Sequence, residues 1–293
     1  MASTSSSMVG SGSPVLKWVL RLAVVGYLFF LVGWPSALIV RRTFEGGTQA
    51  FSDALHDPDV THALQLSVTV ALVAVVINLL FGVGMSLLLV RYEFPGKRAL
   101  SALIDLPLAV SPIVVGLALV LVYNPRYGWF GEGLDAHGIQ IIFAKPGMIM
   151  ATTFVALPLV IREVVPVLED MGDDQEQAAN SLGANGWQTF WRVTLPGIKW
   201  AVVYGVVLSL ARSLGEFGAV KVVAGNVSGE TTTAPVLVQQ KYQNFEQQTA
   251  YAVSFMLVAA AVVCLIVVAL LRPSEHSQSR RLAKNDAAAK EIP

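Results

Sequence analysis

The chain is 293 residues long, 54% hydrophobic and only 14% charged, with 20 basic and 20 acidic residues and a formal net charge of zero; its mean hydropathy is +0.61. This composition excludes an ordinary soluble domain, and basic residues scattered between apolar runs exclude a nucleic-acid-binding patch. The single cysteine, Cys264, lies inside an apolar run, which excludes an internal disulfide framework and a cysteine metal site and argues against redox chemistry.

In chain order, residues 1–16 are a Ser/Gly-rich start that reads as a disordered tail. Apolar runs then cover 17–40, 64–90, 100–123, 142–166, 198–223 and 249–271. Each is long enough to cross roughly 30 Å of hydrocarbon as a helix. Backbone polar groups find no water there, so each run must be helical, and the runs are too long for barrel strands. The expected fold class is therefore all-α, a polytopic bundle of six transmembrane helices. The first run is too long for a signal-peptide core and lacks a small-residue cleavage site, so it is read as retained. Residues 17–62 hold the first span and its external loop, 63–271 the membrane core with a polar segment at 173–196, and 272–293 a C-terminal tail.

Orientation follows from the basic residues in alternate connections. With the N-terminus in the cytoplasm, that side holds Lys17, Arg21, Arg91, Lys97, Arg98, Arg162, Arg192, Lys199, Arg272, Arg280, Arg281, Lys284 and Lys290. The other side holds Arg41, Arg42, Arg126, Lys145, Lys221 and Lys241, and Arg212 lies within a span. Both termini and the segment 173–196 are expected in the cytoplasm.

That segment contains EQAANSLGANGWQTFWRVTLP. Asp173-x-x-Glu176 has the form of a capping box, so a short helix is expected to start there and to stop at Gly183. Ala178, Ala179 and Leu182 then share a face, and small residues let a helix press into a partner's groove. Asn185-x-x-Gln188 can start a second helix carrying a Trp187, Phe190, Trp191 stripe suited to a headgroup boundary, which Leu195-Pro196 is expected to end. An interfacial helix without a partner is the alternative reading.

Within the spans, Arg212 and Glu216 stand at i and i+4 and can pair, either as a structural pair or with Arg212 lending positive potential to an anion path. Pro107 and Pro112 in the third run, and Pro158 and Pro166 in the fourth, are expected to interrupt their helices. Such breaks, including Ser111 and Pro112, either shape packing or line a path. Gly82-x-x-x-Ser86 and Gly205-x-x-x-Ser209 allow close helix approach. The connections 124–138 and 225–245 are Gly-, Thr- and aromatic-rich and read as docking loops or as solvated ones. There is no phosphate-binding Gly-x-x-x-x-Gly-Lys-Ser/Thr loop, and Gly96-Lys97 is a lone dipeptide. His56, His62, His137 and His276 do not share metal-ligand spacing, and the His-Glu-x-x-His and Gly-x-Ser-x-Gly patterns are absent. No catalytic residue, metal or cofactor is expected. A membrane-embedded enzyme and a channel are the less favoured classes.

Gln177-Ala178-Ala179-x-x-x-Gly183, followed by Val193-x-Leu195-Pro196, resembles the cytoplasmic signature of permease subunits of ABC importers. Gln177 stands where that family has Glu, with Glu176 one position earlier, and Val193 replaces Ile. RYEFPGKRAL from Arg91, LIDLPLAVSPIVVGLALV at 103–120 and ARSLGEFGAVKVVAGN at 211–226 are similar to the oxyanion branch, above all to the W-type subunit of sulfate/thiosulfate importers. Molybdate permeases share part of the last stretch. The resemblance implies a type I importer permease fold in a bacterial inner membrane. It implies that Glu176, Gln177, Ala178, Ala179, Leu182, Gly183, Leu195 and Pro196 couple the chain to two ATPase subunits that bind the ATP. It further implies a homologous T-type permease, an extracytoplasmic sulfate-binding protein, and import of sulfate or thiosulfate by alternating access.

Overall fold

Asp57 starts the first long core helix: its backbone is extended, its carboxylate accepts the Asp59 N–H at 2.9 Å, and Pro58 opens the helix where its missing N–H costs nothing. The computed structural model describes residues 14–271, so the tail 272–293 and nearly all of 1–16 lie outside the described residues. All the described elements are helical. They are α1 (Pro14–Leu28), α2 (Trp34–Phe44), α3 (Gly47–His56), α4 (Pro58–Arg91), α5 (Lys97–Ala109), α6 (Pro112–Tyr123) and α7 (Gly131–Asp135), then α8 (Lys145–Met171), α9 (Asp174–Ser181), α10 (Gly186–Thr189), α11 (Leu195–Leu214), α12 (Gly218–Val223), α13 (Ala234–Gln243) and α14 (Gln247–Leu271). π-helical turns at Phe29–Gly33 and Phe190–Thr194 join α1 to α2 and α10 to α11.

Five continuous helices are long and apolar enough to cross a membrane: Val15–Phe44, Pro58–Arg91, Lys145–Met171, Gly186–Leu214 and Gln247–Leu270. The third run is not a straight span, because α5 and α6 meet at 111°. Val110 and Ser111 are both extended at the bend, as expected where the Pro112 ring excludes the helical conformation from the residue before it. α5 packs through Ile104 with Leu89 and Ile161, whereas α6 packs through Val120 with Leu66 and Met148. These two clusters lie at opposite ends of α4 and α8, so the bent pair traverses the bundle as one broken span and brings the total to six. We call the end carrying α9 and α10 the near end and the opposite end the far end.

Three further expectations are corrected. Pro158 and Pro166 do not interrupt α8, which stays continuous over 27 residues and buries Pro158. The fifth span stops at Leu214 rather than at residue 223, because Gly215 and an irregular turn precede α12. The fourth run also continues past its expected end at residue 166, because α8 runs on to Met171 with Arg162 inside it.

Close packing is set by glycines. A Cβ on Gly82 would lie 2.8 Å from the Val160 side chain, and one on Gly205 would lie 3.0 Å from the Val160 Cα, so α4 and α11 both close onto the same point of α8. A Cβ on Gly116 would meet the Ala219 carbonyl oxygen at 2.7 Å, so α6 and α12 are in backbone contact. α1 stays outside this packing with its apolar side chains exposed, and α2 is held to α14 by the Thr43 hydroxyl, which donates to the Tyr251 carbonyl at 3.0 Å.

Candidate functional site

The near-end segment is built around one carboxylate. The expected Asp173 capping box does not form: Asp173 makes no side-chain cap and instead accepts from Gln177 Nε2 at 2.8 Å. Glu176 is turned away from its own helix terminus. Its Oε2 accepts from Arg91 Nε at 2.8 Å, and its Oε1 accepts from Arg91 Nη2 at 3.3 Å and from the Thr194 hydroxyl at 2.7 Å. Arg91 also donates to the carbonyl oxygens of Leu168 at 3.1 Å and Gly172 at 2.8 Å. One guanidinium, itself the last residue of α4, thus closes the C-terminal end of α8 and fixes α9. Thr194 ties the same carboxylate to the start of the fifth span. Both charged side chains are only 15% exposed, so these bonds work with little competition from water. Asn180 adds a second tie by accepting from the Thr189 hydroxyl at 3.0 Å.

With Glu176 facing the bundle, the opposite side of α9 faces out. Gln177, Ala178, Ser181 and Leu182 are exposed, Leu182 by 90%, whereas Ala179 is half-buried at the edge. The expected common face of Ala178, Ala179 and Leu182 is therefore split. Gly183 ends α9 with φ +89°; its N–H bonds to the Asn180 carbonyl and the Ala184 N–H to the Ala179 carbonyl, the two bonds of a Schellman motif. A Cβ on Gly183 would meet nothing within 4 Å, so its backbone conformation, not close packing within the chain, requires glycine.

The second helix starts as expected. Gln188 N–H donates to Asn185 Oδ1 at 2.9 Å and Asn185 N–H to Gln188 Oε1 at 3.1 Å, which completes a capping box. Trp187, Phe190 and Trp191 contact one another, with Trp187 70% exposed. Leu195-Pro196 does not end this helix. The π-helical turn, closed by the Leu195 N–H on the Phe190 carbonyl, widens the backbone just before Pro196 and carries the helix into the span. Between α9 and the ends of α4 and the fifth span lies a cleft of about 380 Å³ bordered by Leu87, Arg91, Tyr92, Asn180 and Phe190.

A second constellation lies toward the far end, where two helix breaks meet. Gly218 begins α12 against Pro112: a Cβ there would lie 3.1 Å from that of Pro112. Arg212 and Glu216 pair as expected, Nη1 to Oε2 at 2.7 Å, with side chains 39% and 2% exposed. Glu216 Oε1 also accepts from the Ala219 N–H at 2.9 Å and so secures the start of α12. Glu216 borders a void of about 10 Å³ whose lining mixes the hydroxyls of Ser67, Thr152, Ser213 and Thr233 with the apolar Val70, Leu214, Val220 and Pro235. Ser111 is exposed at the break. Asn78, fully buried in α4 with neither amide atom paired among the described residues, was not singled out by sequence; nor were Arg91 and Thr194 as partners of Glu176. No sequence spacing joins Arg91 to Glu176, which lie 85 residues apart.

The match to known proteins bears on the whole bundle. Residues 78–277 match the family described as binding-protein-dependent transport system inner membrane component. The chain belongs to that family. This inner membrane component is 45% identical over 274 residues to the sulfate transport system permease protein CysW of Synechococcus elongatus, covering 92% of this chain and 96% of that protein. It is 41% identical over 272 residues to the protein of the same name in Escherichia coli strain K12, covering 92% of each. Its fold matches a crystal structure of a bacterial alginate ABC transporter in complex with an alginate pentasaccharide-bound periplasmic protein. The TM-score is 0.72 at 18% identity, over 92% of this chain and 96% of that one. The inner membrane component thus has the type I ABC importer permease fold, with α9 on its near-end surface.

Proposed function

We propose that the chain is a permease subunit of an ATP-driven sulfate importer, with thiosulfate as a second substrate, in a bacterial inner membrane with both termini in the cytoplasm. The observation that carries this reading is α9: a short helix pinned to three spans through Glu176 while its Ala178 and Leu182 face outward. Such a helix suits a groove on a cytoplasmic ATPase, because its outward side offers Ala178 and an exposed Leu182 among polar neighbours and its inward side is tied to the parts that must move. The relatives named as sulfate transport system permeases support the choice of anion.

The chain pairs with a homologous T-type permease, and two ATPase subunits sit beneath the pair and bind the ATP. No catalytic residue or cofactor is assigned to this chain. The far-end loops 124–138 and 225–245 face an extracytoplasmic binding protein. A dianion crosses in a cavity between the two permeases that opens alternately to each side. Moving such a switch from 1:99 to 99:1 takes about 5.5 kcal/mol of differential binding, which ATP and the docked binding protein supply. The test is reconstitution of the chain with its ATPase, partner permease and binding protein, followed by uptake of labelled sulfate, thiosulfate and molybdate. Sulfate uptake that requires ATP is the expected result; uptake of molybdate alone overturns the anion, and failure of α9 variants to affect ATPase binding overturns the docking role.

A further inference from the structure

Five buried oxygen-bearing side chains from separate parts of the chain converge on the void beside Glu216. Ser67 comes from α4, Thr152 from α8, Ser213 from the last turn of the fifth span, Glu216 from the turn before α12, and Thr233 from the residue that precedes α13. None is more than 6% exposed. Ser67 Oγ accepts the Ala234 N–H at 2.7 Å, which leaves its own proton to donate. Thr152 Oγ1, Ser213 Oγ and Thr233 Oγ1 have no hydrogen-bond partner among the described residues. Glu216 Oε1 is taken by the Ala219 N–H, and Oε2 keeps only its ion-pair contact with Arg212 Nη1 at 2.7 Å. Three buried hydroxyls left in that way would each carry a desolvation cost that no bond offsets, which native interiors rarely tolerate at one point.

The size and chemistry of the void select its occupant. At about 10 Å³ it offers close to the least room that one water requires, and too little for a tetrahedral oxyanion. A buried water also needs about two to four polar partners. Here a carboxylate oxygen accepts, and hydroxyls that rotate freely can donate or accept, so the partners suffice. A monovalent cation fits less well. Glu216 is the only charged group bordering the void, and Arg212 already neutralises it, so a cation would bring an uncompensated positive charge into a buried place. Bridging Thr152 to Glu216 joins a continuous helix, α8, to the irregular turn that starts α12. The bond from the Ala219 N–H to Glu216 carries that constraint into α12.

We propose that this void is a binding site for a single water, which bridges the Thr152, Ser213 and Thr233 hydroxyls to Glu216 and so fixes the turn between the fifth span and α12. The site is independent of which anion the complex carries. Two measurements on the full chain in its membrane complex test it. The first is the structure of the wild-type complex at a resolution that shows ordered waters, which does not depend on any variant folding. A solvent peak about 2.7–3.2 Å from Glu216 Oε2 and from at least one of the three hydroxyls is expected. No peak there, or a peak with several contacts of about 2.4 Å as a bound cation makes, overturns the proposal. The second is hydrogen exchange at the Ala219 amide. Thr152→Val deletes one hydroxyl with little change of shape and is expected to speed that exchange about two- to tenfold, because the water loses its partner on α8 and Glu216 is held less firmly. Thr152→Ser, which keeps the hydroxyl, is expected to exchange as the wild type does. Thr153→Val is the control: Thr153 Oγ1 is also buried without a partner among the described residues, but it borders an apolar groove and not this void. Exchange at Ala219 that is unchanged in Thr152→Val, or sped as much by Thr153→Val, overturns the bridge.

Discussion

Replacing Glu176 with alanine removes the acceptor for Arg91 Nε, Arg91 Nη2 and the Thr194 hydroxyl in a single step. Truncating one partner of a buried ion pair costs about 3–5 kcal/mol, and hydrogen bonds to charged groups contribute about 1.5–3 kcal/mol. Arg91 keeps the Leu168 and Gly172 carbonyls, and both side chains retain 15% exposure, which places the loss nearer the lower figures. An expected loss of about 2–3 kcal/mol raises the population of detached α9 by about 30- to 140-fold. Hydrogen exchange of the amides of residues 177–184, which α9 bonds internally, reads this directly, and the ratio of sulfate taken up to ATP hydrolysed reads its consequence. Glu176→Ala is expected to speed exchange there and to lower the ratio. Replacing Arg91 by Met and Glu176 by Leu together should recover part of the local protection, because no buried charge is left unpaired. Unchanged exchange and an unchanged uptake ratio in a well-assembled Glu176→Ala complex would refute the clamp.

Three further outcomes are expected. Gly183→Ala should cost about 1–2 kcal/mol through its φ of +89° and Gly183→Asn less; thermal unfolding in which Asn is as damaging as Leu would mean that bulk, not backbone conformation, decides. Lys241 bonds Glu246 at 2.7 Å and Asp57 at 3.2 Å, and chiefly the Glu246 bond, opposed by burial and assisted by Asp57, raises its pKa above the ordinary 10.5. Because the folded value is the higher one, this bridge stabilises fully below about 10.5 and is lost as pH rises through the raised value, so Lys241→Met should lower stability at neutral pH and flatten the alkaline decline. An alkaline decline as steep in that variant as in the wild type would count against the bridge. Arg212→Met combined with Glu216→Gln should assemble better than Arg212→Met alone, since the amide still accepts the Ala219 N–H and no unpaired carboxylate remains; equal assembly of the two, measured as yield of intact complex, would argue that Glu216 is not held by its charge.

Six crossings were legible because the bilayer requires about 20 apolar residues per helix whatever the side chains do afterwards. The breaks were less so. Pro107, Pro112, Pro158 and Pro166 look alike in sequence, and each removes one helical hydrogen bond, yet only the Ser111-Pro112 step interrupts a helix. What separates them is packing that sequence does not display. Gly116 lets α6 lie against the backbone of α12 once the chain has turned, whereas Pro158 is buried within a continuous α8 that Gly82 and Gly205 approach closely at Val160. Charge was no better a guide to where the helix ends: Arg162 suggested that the fourth run was closing, yet α8 runs on to Met171 while Arg162 pairs with Asp105 of α5. The segment 173–196 stood out by composition, and its second capping box and its Gly183 stop were readable because both depend on residues three or four positions apart. The direction in which Glu176 points was not, because its partner closes a loop of 85 residues. The physical consequence is a division of labour across one short helix. Its carboxylate is spent inward on Arg91 and Thr194, so its outward contacts must come from Ala178, Leu182 and their polar neighbours. Whatever pushes on that outer side therefore acts on α4, α8 and the fifth span together.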